Sequence, residues 1–383
     1  MSAVHQFRHQ TYDSTRPAAP HHLIDPRRGP QPGSNEFRRR MQLVGDVLRD
    51  SGVSAIYLVH GTFVGPDALG IITELGRVFP SASNAVRRVI KRIVDRVAGE
   101  VGNYTPDFAQ CLESSINTPN KPPIAVRLFH WSSENHHIGR ADGAVRLIDE
   151  LFSADVEHGR RVLLWGHSHA GNVFALMTNL LCGDEEKTRQ FFDAAAIYYR
   201  WPLVGCVDIP VWNRVENLLS EGASPLAGVS LDMVTFGTPI RYGWDSAGYA
   251  NLLHFINHHV AEGVPEYRAA FPPTLNDVMR AADGDYVQQF GIAGTNVMPS
   301  VFAWRTWMAD NRLSNLLQGE TRRRDTLGRL QAGAIVPDEG TTLLVDYGRQ
   351  QGGLAEHIAG HAVYTRKTWM LFHAEEIARR FYA

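Results

Sequence analysis

RVLLWGHSHAG, Arg161 to Gly171, places three structural signals in one short stretch. Val162 to Trp165 is a continuous apolar run, the mark of a strand covered on both faces. Gly166 admits a sharp turn, and Val173, Leu176, Met177 and Leu180 then follow at helical spacing. Ser168 stands at the crest. A serine hydroxyl is a weak nucleophile at its free pKa, so it serves as one only when a turn presents it to a base. Small residues permit such a turn: Gly166 two positions before Ser168, and Ala170 two positions after, where strand and helix crowd together. The competing reading is a serine that caps a helix N-terminus. The strand, turn and helix context favours the presented nucleophile. His167 and His169 form a His-x-His pair, but neighbours on a tight turn diverge and no carboxylate-rich segment stands close by, so no metal is expected. The expected role of His169 is to offer its backbone N–H to an oxyanion.

Outward from this stretch the same grammar repeats. Ala55 to Val59, Ile124 to Phe129 and Val229 to Phe236 are further short apolar runs separated by helical patterns, with Tyr286 to Ile292 and Thr341 to Asp346 as later strand candidates. Strands that alternate with helices and lack polar alternation predict an α/β fold: a mostly parallel central sheet covered by helices on both faces. The first run leads into IYLVHGTFVG, where Gly61 lets the backbone turn and aims the N–H of Thr62 at developing negative charge, the second oxyanion donor.

The chain has 383 residues, 44% hydrophobic and 20% charged, enough to bury a large core. Residues 1–34, rich in Pro, His and Arg, read as a flexible arm, and residues 35–383 as one domain. A helix begins at Asn35, with Phe37, Met41, Val44 and Leu48 on one face, and Gly52 ends it. Residues 80–118 read as a helical insertion or lid. Within them, 84–101 is amphipathic and basic, which suits either a surface helix packed on the core or a lid with peripheral membrane contact. The 38 Lys and Arg against 40 Asp and Glu leave a net charge of -2, so no global field favours nucleic acid. Three cysteines, Cys111, Cys182 and Cys206, have neither metal-ligand spacing nor an even count, which fits a reducing compartment. With no apolar leader and no run of about 18 apolar residues, a soluble cytoplasmic protein is expected.

Through VHGTF (Val59 to Phe63), GHSHAG (Gly166 to Gly171) and TFGTP (Thr235 to Pro239), the chain resembles lipases and esterases of the α/β-hydrolase superfamily. FHWSSEN, Phe129 to Asn135, followed by Arg140 and a helix, also resembles the Trp-Ser loop of some bacterial lipase-like proteins. The similarity spans roughly residues 50 to 383, and the first half matches most closely. It implies an α/β-hydrolase fold, a serine carboxylic ester hydrolase that needs no cofactor, and the chain order nucleophile, acid, histidine. The histidine falls in LAEHIAGHAVYTRKTW, where His361 after Gly360 resembles the family's catalytic loop and His357 suits a structural role. For the acid, Asp346 at the end of TTLLVDYG is the first choice and Asp245 in RYGWDS the second. The family pattern would place it after the preceding strand, where GIAGTNVMP carries Asn296 in place of an Asp. The expected substrate is a small-molecule or lipid ester. A non-catalytic scaffold that binds a ligand or protein partner is the alternative, and acyl transfer would use the same residues. The pairs His136 and His137, and His258 and His259, read as hydrogen-bonded loop residues rather than zinc ligands.

Overall fold

The computed structural model describes residues 7, 19–61, 103–154, 156–201, 207–220, 226, 228–271, 273–292, 296, 299, 303–317, 335–349 and 357–383. In chain order the strands are β1 (His21–Ile24), β2 (Val53–Val59), β3 (Ala125–Phe129), β4 (Arg161–His167), β5 (Arg200–Trp201), β6 (Val207–Asp208), β7 (Ser230–Phe236), β8 (Asn251–Asn257) and β9 (Thr341–Val345). The helices are α1 (Asn35–Asp50), α2 (Pro106–Ile116), α3 (His137–Ser153), α4 (Ala170–Cys182), α5 (Glu185–Tyr199), α6 (Pro210–Ser220), α7 (Leu275–Arg280), α8 (Tyr286–Ile292), α9 (Trp304–Leu317) and α10 (Lys367–Phe381).

Among the described residues, seven strands form one open sheet in the order β1-β9-β8-β7-β4-β2-β3, and every pairing within it is parallel. β5 and β6 form a separate antiparallel pair. Successive side chains of a strand point to opposite faces, and each face here feeds its own apolar core. Tyr57, Val59, Val162, Leu164, Leu231 and Met233 pack with α3, α4, α5, α6 and α9. Ile56, Leu58, Leu163, Trp165, Val234 and Phe236 pack with α1, α2 and α10. This two-sided burial explains why the strands read as unbroken apolar runs. β4 lies inside the sheet, flanked by β2 and β7, so the turn that follows it opens between loops from both neighbours.

The expected strands at 55–59, 124–129, 162–165, 229–236 and 341–346 all appear, shifted by one or two residues at their ends. Two expectations are corrected. Tyr286 to Ile292 is helix α8, because the Asp285 side chain accepts the Gln288 N–H (2.9 Å) and caps a helical start. The strand between β7 and β9 is β8, NLLHFIN, whose His254 interrupts the apolar pattern; its ring is engaged by Thr235 Oγ1 (2.6 Å) and the Glu339 carbonyl (3.1 Å). Within the proposed arm 1–34, His21 to Ile24 adds a parallel edge strand to β9. Phe7 is buried there too, stacked on Phe191 and tied through its N–H to Asn179 Oδ1 (2.9 Å). Of the proposed insertion 80–118, residues 80–102, with the basic stretch 84–101, lie outside the described residues. The remainder contains α2, whose Phe108 and Leu112 belong to the core beneath α1. No helix among the described residues is long and apolar enough to cross a membrane.

Candidate active site

The turn after β4 is held in a conformation that side chains rarely adopt. Ser168 has φ +56°, in the left-handed region that costs a non-glycine residue about 1–2 kcal/mol. The surroundings fix it there. Its N–H donates to the Phe236 carbonyl (2.8 Å), and its carbonyl accepts from the Gly171 N–H (3.2 Å) and Thr238 Oγ1 (2.7 Å). The small residues around it are steric necessities. A Cβ on Gly166 would stand 2.5 Å from the Phe174 ring and 3.0 Å from the Cβ of Ala170, so the strand and α4 cross where only small side chains fit. A Cβ on Gly61, just past β2, would stand 2.4 Å from the Ser168 Cβ, which places the β2 loop directly against the serine. The Ser168 hydroxyl is buried and has no hydrogen-bond partner among the described residues. Leaving such a group unpaired is costly, so its retention asks for a functional reason.

His361 is presented by a second strained turn. Ile358, Ala359 and Gly360 have φ of +47°, +52° and +89° in succession, and the β-branched Ile358 is a genuine outlier there. Hydrogen bonds from three directions hold the run: the Tyr286 N–H donates to the Ala359 carbonyl, Asn257 Nδ2 to the Gly360 carbonyl, and the Gly360 N–H to His357 Nδ1. His361 Nδ1–H donates to Asp285 Oδ2 at 2.7 Å, and both side chains are fully shielded. The Tyr364 hydroxyl donates to the same oxygen (3.0 Å) while accepting the Asn257 N–H (2.7 Å). The opposite oxygen of Asp285 caps α8, so the carboxylate is fixed from both sides.

The two turns meet at the carboxyl ends of β4, β7 and β8. Ser168 is bonded to Phe236, and a Cβ on the next residue, Gly237, would lie 2.5 Å from both Asp285 Oδ2 and the Tyr364 ring. The His167 ring packs on the His361 ring with centroids 4.5 Å apart, and its Nε2–H donates to the His361 carbonyl (3.1 Å). His169 occupies the N-cap position of α4 without a side-chain capping bond, where helix N–H groups lack intrahelical acceptors. Its ring turns away to accept from Asn172 Nδ2 (3.0 Å), so His167 and His169 serve different partners.

Ser168, His169 and His361 thus share one location, while Thr62 lies outside the described residues. Asp346 stands elsewhere: its half-exposed carboxylate pairs with His259 Nδ1 at 2.7 Å and accepts the Gly348 N–H. Asp245 caps the short turn Ser246–Gly248. The carboxylate on His361 is Asp285, which the sequence reading missed. The available signal was chain order, an acid after the strand before the last, but it required reading β8 as that strand. Even then Glu262, Glu266, Asp277, Asp283 and Asp285 all follow within a short stretch. Asn296 accepts from Arg140 rather than standing where an acid would be needed.

The loop after β3 buttresses the β2 end. Trp131 Nε1–H donates to the His60 carbonyl (2.8 Å), and the His60 ring meets Ser133 Oγ (3.1 Å). Burial lowers the His60 pKa to about 4, so this histidine is neutral at physiological pH. Ser168 and His361 are both 0% exposed, and a neighbouring cavity bordered by Asn172, Thr238 and Tyr242 encloses only about 10 Å3, room for one water. Among the described residues, no cluster of three or more His, Cys, Asp or Glu side chains is arranged to hold a metal ion. No protein-family model, curated protein or solved structure matches the chain.

Proposed function

We propose that the chain is a serine hydrolase of the α/β-hydrolase type that cleaves carboxylic esters with Ser168, His361 and Asp285. The observation that carries this reading is the buried Asp285–His361 pair set against the turn on which Ser168 stands at positive φ. The strand order supports it as well. Nucleophile, acid and histidine follow β4, β8 and β9, in the chain order that the superfamily uses.

In this mechanism the Ser168 oxygen attacks the ester carbonyl while His361 takes the hydroxyl proton. The same imidazole then protonates the departing alkoxide, which leaves as the alcohol. Asp285 holds the Nδ1–H tautomer and stabilises the imidazolium. The N–H of His169, and that of Thr62 as the sequence reading has it, receive the oxyanion. Water activated by His361 attacks the acyl-enzyme, releasing the acid and restoring Ser168.

A fluorophosphonate probe tests the reading, because only an activated serine reacts with it. Labelling of the wild type that disappears in Ser168→Ala is the expected result. Folded wild-type protein that stays unlabelled after long incubation removes the enzyme assignment. The complete burial of Ser168 favours a second reading, a non-catalytic scaffold of the same fold, and that outcome would select it.

A further inference from the structure

A fully buried guanidinium beside the nucleophile turn has only neutral hydrogen-bond partners among the described residues. Arg140, 0% exposed, donates through Nε to the Tyr242 hydroxyl (2.9 Å), through one terminal nitrogen to Asn135 Oδ1 (2.9 Å) and through the other to Asn296 Oδ1 (2.5 Å). Arginine stays protonated in any protein environment and carries five N–H donors, so three neutral acceptors neither discharge it nor exhaust it. Buried charges are ordinarily paired with an opposite charge, and no carboxylate among the described residues forms a salt bridge with Arg140. The nearby Asp310 is occupied by the Ile138 N–H (2.9 Å) and lies 3.8 Å from His136 Nδ1. Burial raises its carboxyl above the ordinary range, while its bond to the Ile138 N–H and the charges of His136 and Arg140 pull it down.

The position of Arg140 follows from helix packing. At Gly143 a Cβ would stand 3.1 Å from Val173 Cγ2, so α3 and α4 touch at these two residues. Arg140 precedes Gly143 by one turn and His169 precedes Val173 by one turn, which sets both at the same level, at the starts of the two helices. Burial, then the charges of Arg140 and Arg241, push His169 and His137 well below the ordinary histidine range, so both rings are neutral. A second donor stands beside the guanidinium. The Oδ1 of Asn135 is committed to Arg140, so its amide orientation is settled, and its buried Nδ2 has no hydrogen-bond partner among the described residues.

We infer that Arg140 and Asn135 Nδ2 form an oxyanion subsite, so that the ester cleaved at Ser168 carries a carboxylate or phosphate next to the scissile group. The inference rests on the serine hydrolase reading for its position and on the Arg140 surroundings for its chemistry. The planar fork of arginine binds an oxyanion through paired N–H donors, and two helix N-termini at the same level add a favourable field. The three neutral oxygens, drawn from the loops after β3, β7 and α8, keep the fork oriented before the anion arrives.

The test compares mono-p-nitrophenyl succinate, with its free carboxylate, against neutral p-nitrophenyl butyrate, and reads the ratio of their kcat/KM values. The wild type is expected to favour the succinate at least about tenfold, and Arg140→Gln to lower that ratio about tenfold or more. A purely structural arginine would lower both substrates alike and leave the ratio unchanged, which overturns the subsite. Should Arg140→Gln fail to fold, Arg140→Lys keeps the charge but loses the fork, and a ratio equal to wild type there also overturns it. Calorimetric titration of Ser168→Ala with succinate and with inorganic phosphate separates the two anion classes and needs no catalysis. Binding of one of them that Arg140→Gln abolishes supports the subsite even if fluorophosphonate labelling fails. Absence of binding by both anions, together with no preference for the charged ester, removes it while leaving the Ser168 assignment intact.

Discussion

Two buried carboxylates occupy opposite ends of the same sheet, and their surroundings differ in kind. Asp232 near the amino end of β7 is satisfied on every side: Arg161 donates to it bidentately (2.8 and 2.7 Å), and Asn251 Nδ2 and the Tyr382 hydroxyl add further bonds (2.7 Å each). Asp285, beyond the carboxyl end of β8, is bonded to the His361 ring, beside a buried hydroxyl with no partner among the described residues and two turns that hold left-handed backbone. One end stores stability; the other tolerates strain and an unsatisfied group. In open parallel sheets, binding sites collect at the carboxyl ends of the strands, and this division of labour follows that rule.

The sharpest way to break the comparison is to empty the carboxyl end. Ser168→Ala should lower ester turnover by at least about a thousandfold while leaving the urea midpoint near wild type, since it removes a nucleophile and an unpaired hydroxyl together. Comparable turnover in the purified variant would mean that the two ends do not differ in function. Asp285→Asn is expected to reduce kcat by up to about 10⁴-fold, because an amide favours the wrong histidine tautomer. Asp346→Asn, changed in parallel, should stay within about twofold of wild type, because that side chain pairs only with surface groups and His259.

The amino end should show the reverse signature. Arg161→Met leaves Asp232 as a buried charge without its cation and is expected to cost about 3–5 kcal/mol by chemical denaturation. Activity per folded molecule should be retained. A variant that keeps its stability but loses its activity would invert the assignment of the two ends.

A further effect is a pH dependence of stability. Burial lowers His60 and His258 to about 4 and His373 to about 3, so these rings remain neutral in the fold while the unfolded chain binds protons below its ordinary histidine pKa of about 6.5. Their stabilising contribution is complete above pH 6.5 and is lost as the pH falls from there towards 4. Glu339, raised to about 7 by burial, opposes this, since its contribution is lost as the pH rises from 4.5 to 7. Three histidines outweigh one glutamate, so the melting temperature should fall between pH 6.5 and 4. A flat or rising melting temperature across that window would show that these rings charge without cost.

Much of the frame was legible because its signals are local. Continuous apolar runs mark strands covered on both faces, and five of them could be placed from sequence to within a residue or two. The Gly166, Ser168 and Ala170 spacing carries the turn, because steric crowding between β4 and α4 acts on neighbours in the chain. His361 was picked out differently, because the Gly360–His361 placement resembles a family's catalytic loop.

What the sequence alone determined was therefore the class of the sheet and the strand, turn and helix around Ser168. Only the tertiary structure decided which carboxylate meets His361, that His21 to Ile24 closes one edge of the sheet, and that Arg140 is buried among neutral oxygens. Each of these depends on segments far apart in the chain: Asp285 and His361 are 76 residues apart, and Arg140 and Asn296 are 156 apart. No local propensity encodes such meetings. They are fixed by how helices and loops pack at the end of the sheet, where one carboxylate among several is brought within reach and the others are left to cap turns or pair at the surface.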